Sequence, residues 1–188
     1  MKWVFCDIET FSVRKNAVIP ALGILSIEIN DEALDYTYKD CLALADSVKL
    51  DMDEQLTAGR HIMKETMDWW GKQDKAALAS VTPDGSEVSI LEFHKWLDQF
   101  GDIKNATWWF RGPHFDAAIM ESLFEDFNIR APWNFWAVRD TRTWFECYTD
   151  HAKLQGDPPK AFVAHDPKHD VALDCWSMLQ VMKERMRD

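Results

Sequence analysis

The run Trp3-Val4-Phe5-Cys6 is apolar at every position and passes, with no turn signal between, into Asp7-Ile8-Glu9-Thr10. A strand apolar on both alternating faces belongs in the middle of a sheet covered on both sides, so this one is expected to be central. Asp7 and Glu9 are two apart and project from one face of the pleat, roughly 7 Å apart along it. Burying a carboxylate without a partner is costly, and two close together raise each other's pKa. Two explanations fit at this point. The strand has reached solvent and the acids are ordinary surface groups, or a hard divalent cation takes both as oxygen ligands and offsets their repulsion. Acids in matching places elsewhere would separate them.

The 188 residues are enough for one domain with a full core, taken as residues 1–188. Hydrophobic residues make up 47% of the chain, with ten Trp and eleven Phe, which argues against disorder outside short loops. No apolar run approaches a membrane span, and the N-terminus enters the strand without a signal-peptide pattern, so a cytoplasmic protein without a membrane partner is expected. For a phage-encoded chain that means the host cytoplasm. Cys6, Cys41, Cys147 and Cys175 show no C-x-x-C pair or zinc spacing and read as reduced core thiols. The net charge of −11 argues against a broad basic surface for duplex nucleic acid. It leaves room for an enzyme that grips a few nucleotides through metals.

Gly23–Asn30 and the segment around Tyr36–Leu44 read as a second and third strand, joined to the first as an antiparallel meander with a turn at Asn30-Asp31. From Glu54 to Ser80 the pattern is helical, with Met63, Met67, Trp70 and Ala77 on one stripe. A helix capped by Ser86 carries Ile90, Phe93, Leu97 and Phe100 up to Gly101. Ala106–Phe110 is a fourth strand, followed by a helix over 114–128 whose inward stripe of Met120, Leu123 and Phe127 is headed by Asp116. Residues 133–148 mix strand and helix, and 150–168 read as a long loop. The last helix is expected to begin near His169. Its stripe is Val171, Cys175, Met178, Leu179 and Met182, with Asp174 on the same side and Asp170 as N-cap.

Asp7, Glu9, Asp116 and Asp174 are thus four carboxylates from three elements at core-facing positions. Their charge is about what two Mg²⁺ ions would balance, the usual device for phosphoryl hydrolysis. A general base must reach the attacking water and titrate near neutrality, which suits an imidazole. His169 and His165 both compete for that role. For His61, His94, His114 and His151 a structural role is favoured.

The order Asp7-Ile8-Glu9-Thr10, Asp116 after strand four, then His169 and Asp174 resembles the DEDDh branch of the DnaQ-like 3′-5′ exonuclease superfamily. Local strings point the same way: Met67-Asp68-Trp69-Trp70, Arg111-Gly112-x-x-Phe115-Asp116, Phe135-Trp136-x-x-Arg139-Asp140-x-Arg142-Thr143, and Phe162-Val163-Ala164-His165-Asp166-x-x-His169-Asp170. Together they look like the phage exonuclease A and exonuclease VIII group, over nearly the whole chain. The resemblance implies an α/β, ribonuclease H-like fold, a mixed central sheet of about five strands flanked by helices. It further implies that Asp7, Glu9, Asp116 and Asp174 hold two Mg²⁺ ions, with Mn²⁺ a possible substitute, and that His169 is the general base. Glu9 and the backbone after it, at Thr10, would face the terminal 3′ hydroxyl.

The expected substrate is the 3′ end of a single strand, DNA favoured over RNA, released as nucleoside 5′-monophosphates. Its bases would be held by stacking on aromatic faces. Phe11 is the candidate stacker, with a core role as its rival, and Arg111 the candidate phosphate contact. Arg139 and Arg142 are assigned to pairing with Asp140 and neighbouring acids. The alternatives are an exoribonuclease of the same fold and a non-catalytic binding module. Nothing in the sequence reads an oligomeric state.

Overall fold

The computed structural model describes residues 1–148 and 159–186. Five strands, β1 Lys2–Glu9, β2 Ala21–Glu28, β3 Ala45–Lys49, β4 Thr107–Phe110 and β5 Val138–Asp140, form one mixed sheet in the order β3-β2-β1-β4-β5. β1 is central, antiparallel to β2 and parallel to β4, while β2 and β3 are antiparallel and β4 and β5 parallel. The helices are α1 Tyr38–Leu44, α2 Met52–Thr57, α3 Lys64–Trp70, α4 Lys75–Val81, α5 Ile90–Trp96, α6 Asp116–Asp126, α7 Thr141–Tyr148 and α8 Pro167–Arg185.

The continuous apolar run of β1 divides between two cores. Val4, Cys6 and Ile8 face Phe93 and Leu97 beneath α5, and Met120, Leu123 and Phe124 of α6. Trp3 and Phe5 face Trp109 and the buried side of α8, formed by Val171, Ala172, Cys175, Met178 and Leu179. A sheet covered on both faces is what an unbroken apolar strand requires. Asp7 and Glu9 continue the face that α8 covers.

The meander is present, but its third strand is Ala45–Lys49. Of the segment expected to supply it, around Tyr36–Leu44, Tyr38–Leu44 is helical, with Thr37 and Asp40 forming a capping box that closes its first turn. The helical stretch over 54–80 divides into three short helices. The start of α5 is capped by Ser89, paired reciprocally with Glu92, rather than by Ser86. Of the four cysteines, all unbridged, Cys147 is exposed, contrary to a core role for every thiol. Residues 150–158 of the expected 150–168 loop, His151 among them, lie outside the described residues. Among those described, no helix is long and apolar enough to cross a membrane.

The start of α8 differs from expectation in a way that reaches the site. Asp166 is the N-cap, accepting from the N–H groups of Lys168 at 3.0 Å and His169 at 3.4 Å, and Pro167 opens the helix. Proline suits the first helical position because its φ is already helical and it lacks an N–H that would go unpaired. The helix therefore begins two residues before His169, and Asp170 lies inside it. Gly23 of β2, directly opposite Asp7 in the register, lets that first turn approach. A Cβ on Gly23 would collide with the Pro167 carbonyl group and fall 2.8 Å from the Lys168 nitrogen.

Candidate active site

Oxygens from Asp7, Glu9 and Asp170 lie within 4.8 Å of one another, two from the end of β1 and one from the first turn of α8. Asp116, buried at the start of α6, stands just outside this group, close enough for its charge to raise both Asp7 and Glu9. Burial is the first cause of every shift in the cluster. It pushes Asp7 well above the carboxylate range, with Asp170 the leading charge behind the remainder. Burial and then Asp170 push Glu9 to about 9. Asp116 rises to about 8 although Arg142 pulls it down, and Asp170 to about 7 although Arg111 and the backbone N–H of His165 favour its ionised form. Three carboxylates at this separation, with no thiol or imidazole among the donors, fit a hard divalent cation.

Asp174, expected as the fourth ligand, is engaged elsewhere. Its Oδ1 accepts from Arg111 Nε at 3.0 Å and Nη2 at 2.5 Å, and its Oδ2 accepts from Thr141 Oγ1 at 3.0 Å. The two acids are one helical turn apart on α8, so both face inward. Asp170 reaches the end of β1, whereas Asp174 reaches residues that follow β4 and β5. The acid assigned to the N-cap is thus the one that meets Asp7 and Glu9. The signal for this was Asp166-Pro167, a helix start written in the sequence.

The two candidate histidines make different contacts. His169 Nδ1 is hydrogen-bonded to the Tyr38 hydroxyl of α1 at 2.7 Å, and its ring also neighbours Phe162. His165 donates its backbone N–H to Asp170 and sets its ring edge-on against Trp69, centroids 4.9 Å apart and planes at 83°. Its φ of 62° is left-handed, a conformation that costs a non-glycine residue roughly 1 kcal/mol and gathers at functional positions. The Ser80 hydroxyl donates to its carbonyl at 3.2 Å.

Of the expected substrate contacts, Thr10 is buried, its hydroxyl donating to the Ser12 carbonyl at 2.9 Å and its own carbonyl accepting from Trp70 Nε1 at 3.0 Å. Phe11 is buried edge-on against Trp70, so it has no open face for a base. The half-exposed aromatic at this rim is Trp69. Arg111 keeps its side chain 47% exposed, with Nε and Nη2 committed to Asp174.

Comparison with known proteins bears on family and fold. The family model for the 3′-5′ exoribonuclease Rv2179c-like domain matches residues 2–182. The exodeoxyribonuclease of Enterobacteria phage T4 is 28% identical over 207 residues, covering 96% of this chain and 88% of the phage protein. Among solved structures, exonuclease I from Methylocaldum szegediense superposes over 100% of this chain with a TM-score of 0.58 at 11% identity. The zinc-bound E. coli exonuclease I complex with single-stranded DNA does so over 99% with a TM-score of 0.57, also at 11% identity. The chain spans 41% of either exonuclease I, so these two likenesses carry the ribonuclease H-like fold alone.

Proposed function

Since the chain belongs to the family of the 3′-5′ exoribonuclease Rv2179c-like domain, a DnaQ-like 3′-5′ exonuclease, we propose that it shortens single-stranded DNA from the 3′ end. Each turnover would release a nucleoside 5′-monophosphate. The observation that carries the reading is the convergence of Asp7, Glu9 and Asp170 within 4.8 Å. With Asp116 beside them, they would hold two divalent cations, Mg²⁺ foremost. Bound there, such ions would lower the pKa of a water and neutralise charge on the scissile phosphate.

In this reading Asp170 takes the ligand role first assigned to Asp174, and His165 replaces His169 as general base. His165 would accept the proton of the attacking water as the bond from phosphorus to the 3′ oxygen breaks. Trp69 and the Asp170 carboxylate hold His165 at the rim, whereas the Nδ1 of His169 is occupied by Tyr38. Water proton transfer needs an imidazole within hydrogen-bond reach of the reacting oxygen, and His165 adjoins the acids.

The T4 relative, an exodeoxyribonuclease along nearly the whole chain, supports DNA. The second reading, an exoribonuclease, is favoured by the description of the family itself. Single-stranded DNA and RNA oligomers of one sequence, labelled at the 5′ end and digested in Mg²⁺, decide between them. A ladder shrinking from the 3′ end and faster on DNA is expected. Faster loss of RNA reverses the substrate assignment, and no cleavage of either defeats the proposal.

A further inference from the structure

Arg142 lies beside this site, near enough for its charge to pull down the Asp116 carboxyl. Asp140, its expected partner, has both oxygens turned to the start of α7. Oδ1 accepts the backbone N–H of Arg142 at 3.1 Å, and Oδ2 accepts from the Thr143 hydroxyl at 2.6 Å and the Thr143 N–H at 3.4 Å. Among the described residues the Arg142 guanidinium makes no ion pair within 4.0 Å, and the residue is exposed.

What it does touch is Gly112. The Cβ of any other residue there would sit 3.2 Å from Arg142 Nη1, and the φ of 107° is one that side chains disfavour. The same glycine offers its carbonyl to the N–H groups of Phe115 at 2.9 Å and Asp116 at 3.2 Å, which seats Asp116 at the head of α6. A single bare residue therefore places an acid of the cluster and leaves room for an arginine beside it. The charge of Arg142 acts on the Asp116 carboxyl in the same sense.

Helix stability does not account for this cation. In the first turn of α7 it opposes the helix dipole, which favours negative charge there. Its planar fork of donors, however, matches a phosphate in solution-facing reach. We propose that Arg142 binds a backbone phosphate of the single strand upstream of the scissile bond, holding the polynucleotide while its 3′ end lies among the acids. The assignment rests on the exonuclease reading above and adds a binding residue to it.

The test compares Arg142→Ala and Arg142→Lys with the unsubstituted chain on an all-phosphate DNA oligomer. It adds oligomers bearing one neutral methylphosphonate at the second, third or fourth linkage from the 3′ end. Arg142→Ala is expected to raise KM about tenfold, as for loss of one charge-assisted contact, with kcat changed far less. Arg142→Lys should recover part of the loss. The slope of log(kcat/KM) against log[salt] should flatten by about 0.7, one phosphate's share for a single strand. At one methylphosphonate position the unsubstituted chain should show the same tenfold penalty and Arg142→Ala none beyond its own.

An unchanged KM would overturn the assignment, as would a penalty that persists undiminished with every neutral linkage. A higher Mg²⁺ requirement at unchanged KM would make Arg142 an electrostatic partner of Asp116 and overturn it too. Failure of the exonuclease reading looks different: the unsubstituted chain would then leave the 3′ end intact.

Discussion

His165 with Asp170 and His169 with Asp174 are the same spacing written twice, four residues apart. The first pair borders three converging carboxylates. The second makes its contacts elsewhere, His169 with the Tyr38 hydroxyl and Asp174 with Arg111 and Thr141. Residue type, spacing and helical face are shared, so none of them makes the difference. What differs is how far along α8 each residue lies relative to the sheet. One turn carries a carboxylate from the end of β1, where Arg111 acts on it only through its charge, to a site where that guanidinium and a hydroxyl bind it directly. An inward-facing acid is therefore not a ligand until its neighbours are known.

The sharpest way to break the contrast is to remove each acid in turn. Asp170→Ala should lose Mg²⁺-dependent cleavage to background while the fold survives, read by circular dichroism alongside nuclease assay. Asp174→Asn should retain measurable cleavage and lower stability by about 1–3 kcal/mol in urea titration, because its half-exposed arginine partner is only partly deprived. Equal loss of activity from two folded variants would erase the distinction.

The histidines give the next largest effect. His165→Ala should lower kcat by about 10² to 10⁴, the usual reach of general-base catalysis. His169→Ala should cost less than about tenfold in kcat and about 1 kcal/mol of stability, the net value of the Tyr38 hydrogen bond. Steady-state kinetics in which His169→Ala is the more damaging change would restore the assignment read from the sequence.

The register of α8 can itself be disturbed. Gly23→Ala places a methyl group against the backbone of Pro167 and Lys168, and overpacking of this kind costs about 1–3 kcal/mol. The helix start must move away from β1, so activity should fall further than thermal stability alone explains. Full activity at a temperature where the variant is folded would show that the position of Asp170 is less exacting than the geometry implies.

The smallest effect concerns protons. Glu9, Asp116 and Asp170 are raised to about 9, 8 and 7, above their ordinary values near 4. The folded chain thus holds more protons than the unfolded one across this range. Their contribution to stability is complete below pH about 4 and is lost as pH rises through 7 to 9. In chelator, Tm should fall between pH 6 and pH 9, and added Mg²⁺ should raise it more at pH 9. A Tm that ignores both pH and Mg²⁺ would separate these acids from any cation.

Much of this was legible beforehand because it depends on local pattern. An unbroken apolar run specifies a central strand, alternation puts Asp7 and Glu9 on one face, and helical spacing sets Asp116 at the head of α6. The third strand was misplaced because Tyr38–Leu44 is as apolar as a strand, and the capping box that makes it a helix lies in Thr37 and Asp40. Phe11 takes the core position that was its rival reading, because Trp70 closes over it from α3, which adjacency to the acids in sequence does not show.

The amino-acid order alone thus determined the layers, the strand that carries two acids and the inward side of α8, since periodicity needs only the geometry of each element. Only the tertiary structure decided which turn of α8 meets β1. That depends on the contact between Gly23 and Pro167, residues remote in sequence, whose separation no periodicity encodes.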